Sequence, residues 1–184
     1  MKSLQIRKKV ALKLSAIESR KGLYAVISKS PDYNDVNQEV IRFLTRTKGR
    51  SGVYVTLMRP HCDTMERLRD AKIRTKDLFF IDDLEYGGGC KARNCVFIGD
   101  KYSLTALSLA MSEVCKDRPV DFIFFDSLNA PLIYEKLEIV ERFIHFLVNK
   151  SKNLGLLMII MYAEEPNTKV GSMLDQFCDG CIRI

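Results

Sequence analysis

Asp126 and Ser127 follow four consecutive apolar residues in the stretch Asp121-Phe122-Ile123-Phe124-Phe125-Asp126-Ser127. A buried strand that ends this way can present its carboxylate to Mg²⁺ through water, beside a nucleotide phosphate, as a Walker-B strand does. An ordinary core strand whose final Asp caps a turn has the same pattern, and both readings stay open. Asp82 and Asp83 end a second apolar run in a similar way. Phosphate chemistry also needs a cradle of backbone N–H groups, supplied by G-x-x-x-x-G-K-[ST] after the first strand. Here that place reads Ser28-Lys29-Ser30-Pro31-Asp32-Tyr33-Asn34-Asp35, with no glycine between Gly22 and Gly49. Pro31 removes one donor, and Asp32 and Asp35 favour the helix dipole themselves while repelling phosphate. Lys29 is left as a candidate phosphate-binding lysine, with a plain surface lysine as the alternative. The second strand ends Thr56-Leu57-Met58-Arg59-Pro60-His61, which offers no carboxylate to activate water.

Other chemistries lack their residues. His61 and His145 are the only histidines and share no metal-ligand spacing. There is no G-x-S-x-G elbow, no G-x-G-x-x-G fingerprint after the first strand, and no acidic pair there for a phospho-receiver. Six cysteines include Cys178 and Cys181 as C-x-x-C and Cys90 and Cys95 as C-x4-C. Four thiolates could close a zinc site. However, Cys181 falls in a terminal strand with Ile182 and Ile184 on its opposite face, and Cys95 opens the run Cys95-Val96-Phe97-Ile98. Scattered cysteines of this kind are expected to act as small buried apolar residues, with neither zinc nor a disulfide framework.

The elements that would position these residues are legible as alternation. Apolar runs at 23–28, 53–57, 78–82, 95–98, 121–126, 156–162 and 181–184 read as strands. Several are apolar on both faces, as a sheet covered on two sides requires. Helices are expected at 34–48, 63–72, 103–117, 134–153 and 169–178. Asp63 with Glu66 forms a capping-box pattern ahead of Met65 and Leu68. Leu137, Val140, Ile144 and Leu147 repeat at helical spacing, and Gly155 stands where that helix should stop. The stretch 85–94, with Gly87-Gly88-Gly89, reads as a mobile surface loop. The expected fold is a three-layer α/β domain with a mainly parallel central sheet and helices on both faces.

The 184 residues carry a net charge of +6. Seven basic side chains and one acid, Glu18, lie in residues 1–21, which leaves 22 basic and 22 acidic groups over the rest. The basic character therefore belongs to an N-terminal segment, 1–21, set before a neutral domain, 22–184. Ile6, Val10, Leu14 and Ile17 recur at helical spacing there, so a solvated helix packed on the body is the expectation. Binding of nucleic acid or a membrane surface through that segment is the rival. The longest apolar run, 155–163, is too short to cross a bilayer, which needs about 20 residues. With no signal-peptide pattern at the N-terminus, a soluble cytoplasmic protein is expected.

The segments DFIFFDSL (121–128), FIHFLVNKSKNLG and GLLMIIMY, preceded by SGVYVTLMRP and LFFIDD, resemble a RecA/KaiC-type ATPase core. With FFID, FDSL and FCD as landmarks, the chain is most similar to small archaeal KaiC-like proteins that lack a P-loop. The resemblance covers about residues 20–184. It gives Asp126 the Walker-B position and Ser127 the position after it. Ser28 to Asp35 take the place of Walker A without its motif. Met58 and Arg59 fall where active members present catalytic acids. A degenerate, P-loop-free RecA/KaiC-like domain is thus implied, with no catalytic residues and no metal. Its expected role is a regulatory or protein-interaction module that pairs with another protein, such as an active KaiC-like ATPase, or with itself. No cofactor is expected. One alternative is a sensor of nucleotide or another anion, with Mg·ATP held by Lys29, Asp126 and Ser127 without hydrolysis. The other is an adaptor working through residues 1–21.

Overall fold

Strand residues alternate strictly between two apolar clusters, and that alternation builds the molecule. The computed structural model describes residues 2–46, 50–82, 93–99, 103–165 and 169–184. Its strands are β1 (Gly22–Lys29), β2 (Gly52–Thr56), β3 (Leu78–Asp82), β4 (Cys95–Phe97), β5 (Phe122–Asp126), β6 (Leu157–Glu164) and β7 (Gly180–Arg183). They form one sheet in the order β4-β3-β2-β5-β6-β1-β7, and every pairing is parallel. Each of the seven expected strands is present, within two residues of its expected ends.

The helices are α1 (Lys2–Ser15), α2 (Tyr33–Thr45), α3 (His61–Asp70), α4 (Leu104–Asp117), α5 (Asn129–Tyr134), α6 (Leu137–Leu154) and α7 (Val170–Phe177). Leu23, Ala25 and Ile27 of β1 face α4, α6 and α7 through Met111, Ile144 and Leu174. Tyr24 and Val26 face the opposite layer, built from Val10, Val40 and Leu68 of α1, α2 and α3. A parallel sheet covered on both sides needs such two-faced apolar strands. The three-layer α/β architecture is as expected.

Local details differ in three places. The Asp63/Glu66 capping box does not form: α3 starts two residues earlier, after Pro60, and no side chain caps it from its own N-terminus. Instead Asp82 reaches across from β3, and its carboxylate accepts the His61 N–H at 2.7 Å. A carboxylate at a helix N-terminus satisfies an orphan donor and complements the dipole, whichever element supplies it. The second difference is α5, a six-residue helix after β5 that has too few residues to show periodicity. Third, Cys62 is disulfide-bonded, while Cys95, Cys115, Cys178 and Cys181 are free. Pairing is a tertiary property that spacing does not disclose. Cys90, Asp83 and the loop expected at 85–94, apart from Arg93 and Asn94, lie outside the described residues.

Candidate functional site

Neighbouring strands whose outgoing connections lead to opposite sides leave a crevice beyond their carboxyl ends. β2 leads to β3 on one side and β5 leads towards β6 on the other, so the crevice opens at Thr56 and Asp126, which are paired in register. Asp126 follows Phe122 and Phe124 at every second position, so its side chain lies on the α2/α3 face.

Two phenols fill that position. The Tyr54 hydroxyl donates to Asp126 Oδ2 at 2.5 Å, and the Tyr33 hydroxyl donates to Oδ1. Asn37, one turn along α2, donates its Nδ2 to the Tyr33 oxygen at 3.4 Å. Asp126 is 6% exposed and Asn37 7%. Burial first, and then the Asp126 charge, push both phenols well above their ordinary value of 10.0. They remain protonated donors throughout the neutral range. The opening beside them is lined by Asn37, Tyr54, Arg59, Thr64 and Asp126 and measures about 10 Å³. That is room for about one water molecule.

Tyr33 is placed there by the segment that would otherwise be a phosphate loop. Ser30–Asp32 forms one turn of 3-10 helix with Pro31 in it, which feeds directly into α2. The turn is short and glycine-free, so it sets a side chain over the β5 end and no wrap of backbone N–H groups. Lys29 is exposed at the end of β1, beside Glu164 of β6. One strand, β6, separates β1 from β5, a lateral spacing of about 10 Å, and by register Lys29 extends about three residues, a further 10 Å or so, beyond Asp126. The structure therefore brings Asp126 and Ser127 together with Tyr33 and Tyr54, and leaves Lys29 on the rim.

Ser127 is 1% exposed. Its hydroxyl lies 3.3 Å from Met58 Sδ and 3.4 Å from Asn129 Oδ1. Asn129 pairs with the backbone of Ala163 on β6, donating to its oxygen at 2.9 Å and accepting from its nitrogen at 2.8 Å. The Asp126–Ser127 peptide is cis. Thr56 donates its hydroxyl to the Arg59 carbonyl, which closes the β2 end on itself. Among the described residues, no three His, Cys, Asp or Glu side chains stand together as a metal site.

Neither tyrosine nor either asparagine belongs to a motif. One signal was available for Tyr54: a phenol inside a fully buried strand must find a partner for its hydroxyl, though not which one. For Tyr33 only the tertiary path of the turn supplies the contact. A wider opening, about 580 Å³, lies at the amino edge of the sheet against Arg20, Lys21, Arg50 and Asp121.

No family model matches the chain. No curated protein matches it either.

Proposed function

We propose that this protein is a non-catalytic, P-loop-free counterpart of RecA/KaiC-type ATPases, acting as a regulatory or protein-interaction module. The observation that carries the reading is the Tyr33–Asp126–Tyr54 cluster. A Walker-B carboxylate works by holding the waters of a Mg²⁺ ion, and here both of its oxygens accept from phenols. The glycine-free turn before α2 and the absence of an acid at Met58 and Arg59 support the same reading. Holding a nucleotide without hydrolysis would need Lys29 and Asp126 to share one ligand across the β6 end. The interaction role draws on exposed apolar side chains near the β5 end. Met58 is 43% exposed beside Ser127, and Ile133 and Tyr134 are 63% and 64% exposed at the end of α5. A protein of this kind works in the cytoplasm on a protein partner or on a second copy of itself.

Thermal unfolding with and without millimolar Mg·ATP or Mg·ADP tests the proposal. A ligand at 100 times its Kd stabilises by about 2.7 kcal/mol, which at this chain length raises Tm by roughly 5–10 °C. The expected result is no shift with either nucleotide. A shift that Asp126→Asn abolishes would overturn the proposal, as would a Mg-dependent ATPase rate.

A further inference from the structure

Cys178 and Cys181 take no part in the Asp126 cluster and lie at the sheet edge formed by β7. α7 ends at Phe177, and Cys178 is its cap, in an extended conformation with φ −75° and ψ 153°. Two residues later the chain is in β7, with Cys181 opposite Ala25 of β1. Asp179 anchors the turn between them to β1: its N–H donates to Leu23 O at 2.8 Å and its carboxylate accepts from Leu23 N at 2.9 Å. Both thiols are free, half-buried and packed on the same apolar cluster. The two thiols are close enough that the Cys181 side chain pushes the Cys178 thiol up. Two residues beyond Cys181, Arg183 donates both arms of its guanidinium to the Asp175 carboxylate on α7, at 2.9 and 2.5 Å. The last turn of α7 is thus tied to the edge strand by an ion pair, with two free thiols between them in sequence.

We propose that Cys178 and Cys181 are a redox-modification site, a dithiol that a low-molecular-weight disulfide such as oxidised glutathione converts reversibly to a disulfide stapling α7 to β7. Thiols three residues apart, set at a helix end and in the strand that follows and packed on one apolar cluster, leave little chain movement for the bond to require. The neighbouring Cys181 side chain, followed by burial, pushes the Cys178 thiol up; Cys181 makes the first attack. Its thiolate, having given its proton to water, attacks one sulfur of oxidised glutathione and expels a glutathione thiolate. Cys178 then loses its proton to solvent, attacks the Cys181 sulfur and expels the second glutathione. Two cysteine thiols are oxidised, one glutathione disulfide is reduced, and the two released thiolates take up the two protons. Oxidation replaces two free thiols at the edge with one covalent link between α7 and β7.

The test is alkylation and mass spectrometry of the folded full-length protein after equilibration with glutathione at graded oxidised-to-reduced ratios. The expected result is the loss of two alkylatable thiols, both in the C-terminal peptide. The accompanying mass loss is that of two hydrogens, reversed by dithiothreitol. Cys178→Ser should stop at a stable glutathione adduct on Cys181. The proposal is overturned if wild-type Cys178 and Cys181 stay alkylatable at every ratio or if the wild-type protein accumulates the glutathione adduct. A link from either sulfur to Cys95 or Cys115 would also overturn it. The wild-type arm needs no substitution, so it decides the matter even where a variant fails to fold.

Discussion

Tyr33 and Tyr54 spend their hydroxyls on one buried carboxylate, and hydrogen bonds to a charged group are worth about 1.5–3 kcal/mol each. Tyr33→Phe and Tyr54→Phe should each destabilise the fold within that range, read as a lower midpoint in urea. The double variant should lose more than the two single losses added together, because it leaves Asp126 buried with neither phenol. Strict additivity would show that the two phenols act independently. The same pair predicts an alkaline limit. Both phenols titrate well above 10.0 in the fold, so the folded state keeps protons that the unfolded chain releases from about pH 10 upward. Stability due to them is complete below that value and falls as the pH climbs past it. The double Phe variant should show a flatter alkaline decline, and an unchanged one would assign the limit to other groups.

At the scale of elements, two glycines mark where backbone geometry is fixed. Gly155 ends α6 in the left-handed region, φ 64° and ψ 34°, where a Cβ is strained and would also lie 3.3 Å from Lys21 Nζ. Gly155→Ala should cost about 1 kcal/mol. Gly52 opens β2 under the Phe122 ring, and a Cβ there would come within 2.1 Å of a ring carbon. Phe122 is fully buried and cannot swing out. Gly52→Ala should therefore cost more than Gly155→Ala, about 3 kcal/mol at the upper end of overpacking losses. Equal melting temperatures for the two variants would contradict this. The Gly155 stop was legible, since glycine just past a periodic stretch with basic residues in its last turn is a local signal. The role of Gly52 was not, because it depends on a ring 70 residues away.

At the scale of the molecule, the basic segment is part of the domain's core and not an appendage to it. Ile6, Val10 and Leu14 of α1 are buried in the cluster they share with α2 and β1. Lys2 pairs with Asp32, Arg7 with Glu39 at 3.7 Å, and Lys13 donates to the Arg183 carbonyl at 3.0 Å. Exposed pairs of this kind contribute little to stability, but they occupy charge that an adaptor would present to phosphate. Deleting residues 1–21 should lower Tm by well over 10 °C or leave the protein aggregated, since it uncovers one face of the sheet. A truncated protein that melts like the full chain would return α1 to the role of a detachable arm. No described helix is long and apolar enough to cross a membrane.

Local pattern was enough for the strands, most helix spans and the lack of a glycine cradle after β1. All of these follow from short-range periodicity and from what glycine and proline permit locally. What surrounds Asp126 follows from the packing of distant elements. Tyr33, Tyr54 and Asp126 come from α2, β2 and β5, and their meeting depends on strand order and register, which no local pattern encodes. Placement of the α3 cap on Asp82, the hold of Asn129 on Ala163 and the nearness of Cys178 to Cys181 across the α7–β7 turn were settled the same way. A side chain's partner is chosen by the packing of whole elements, and a sequence states only which partners it needs.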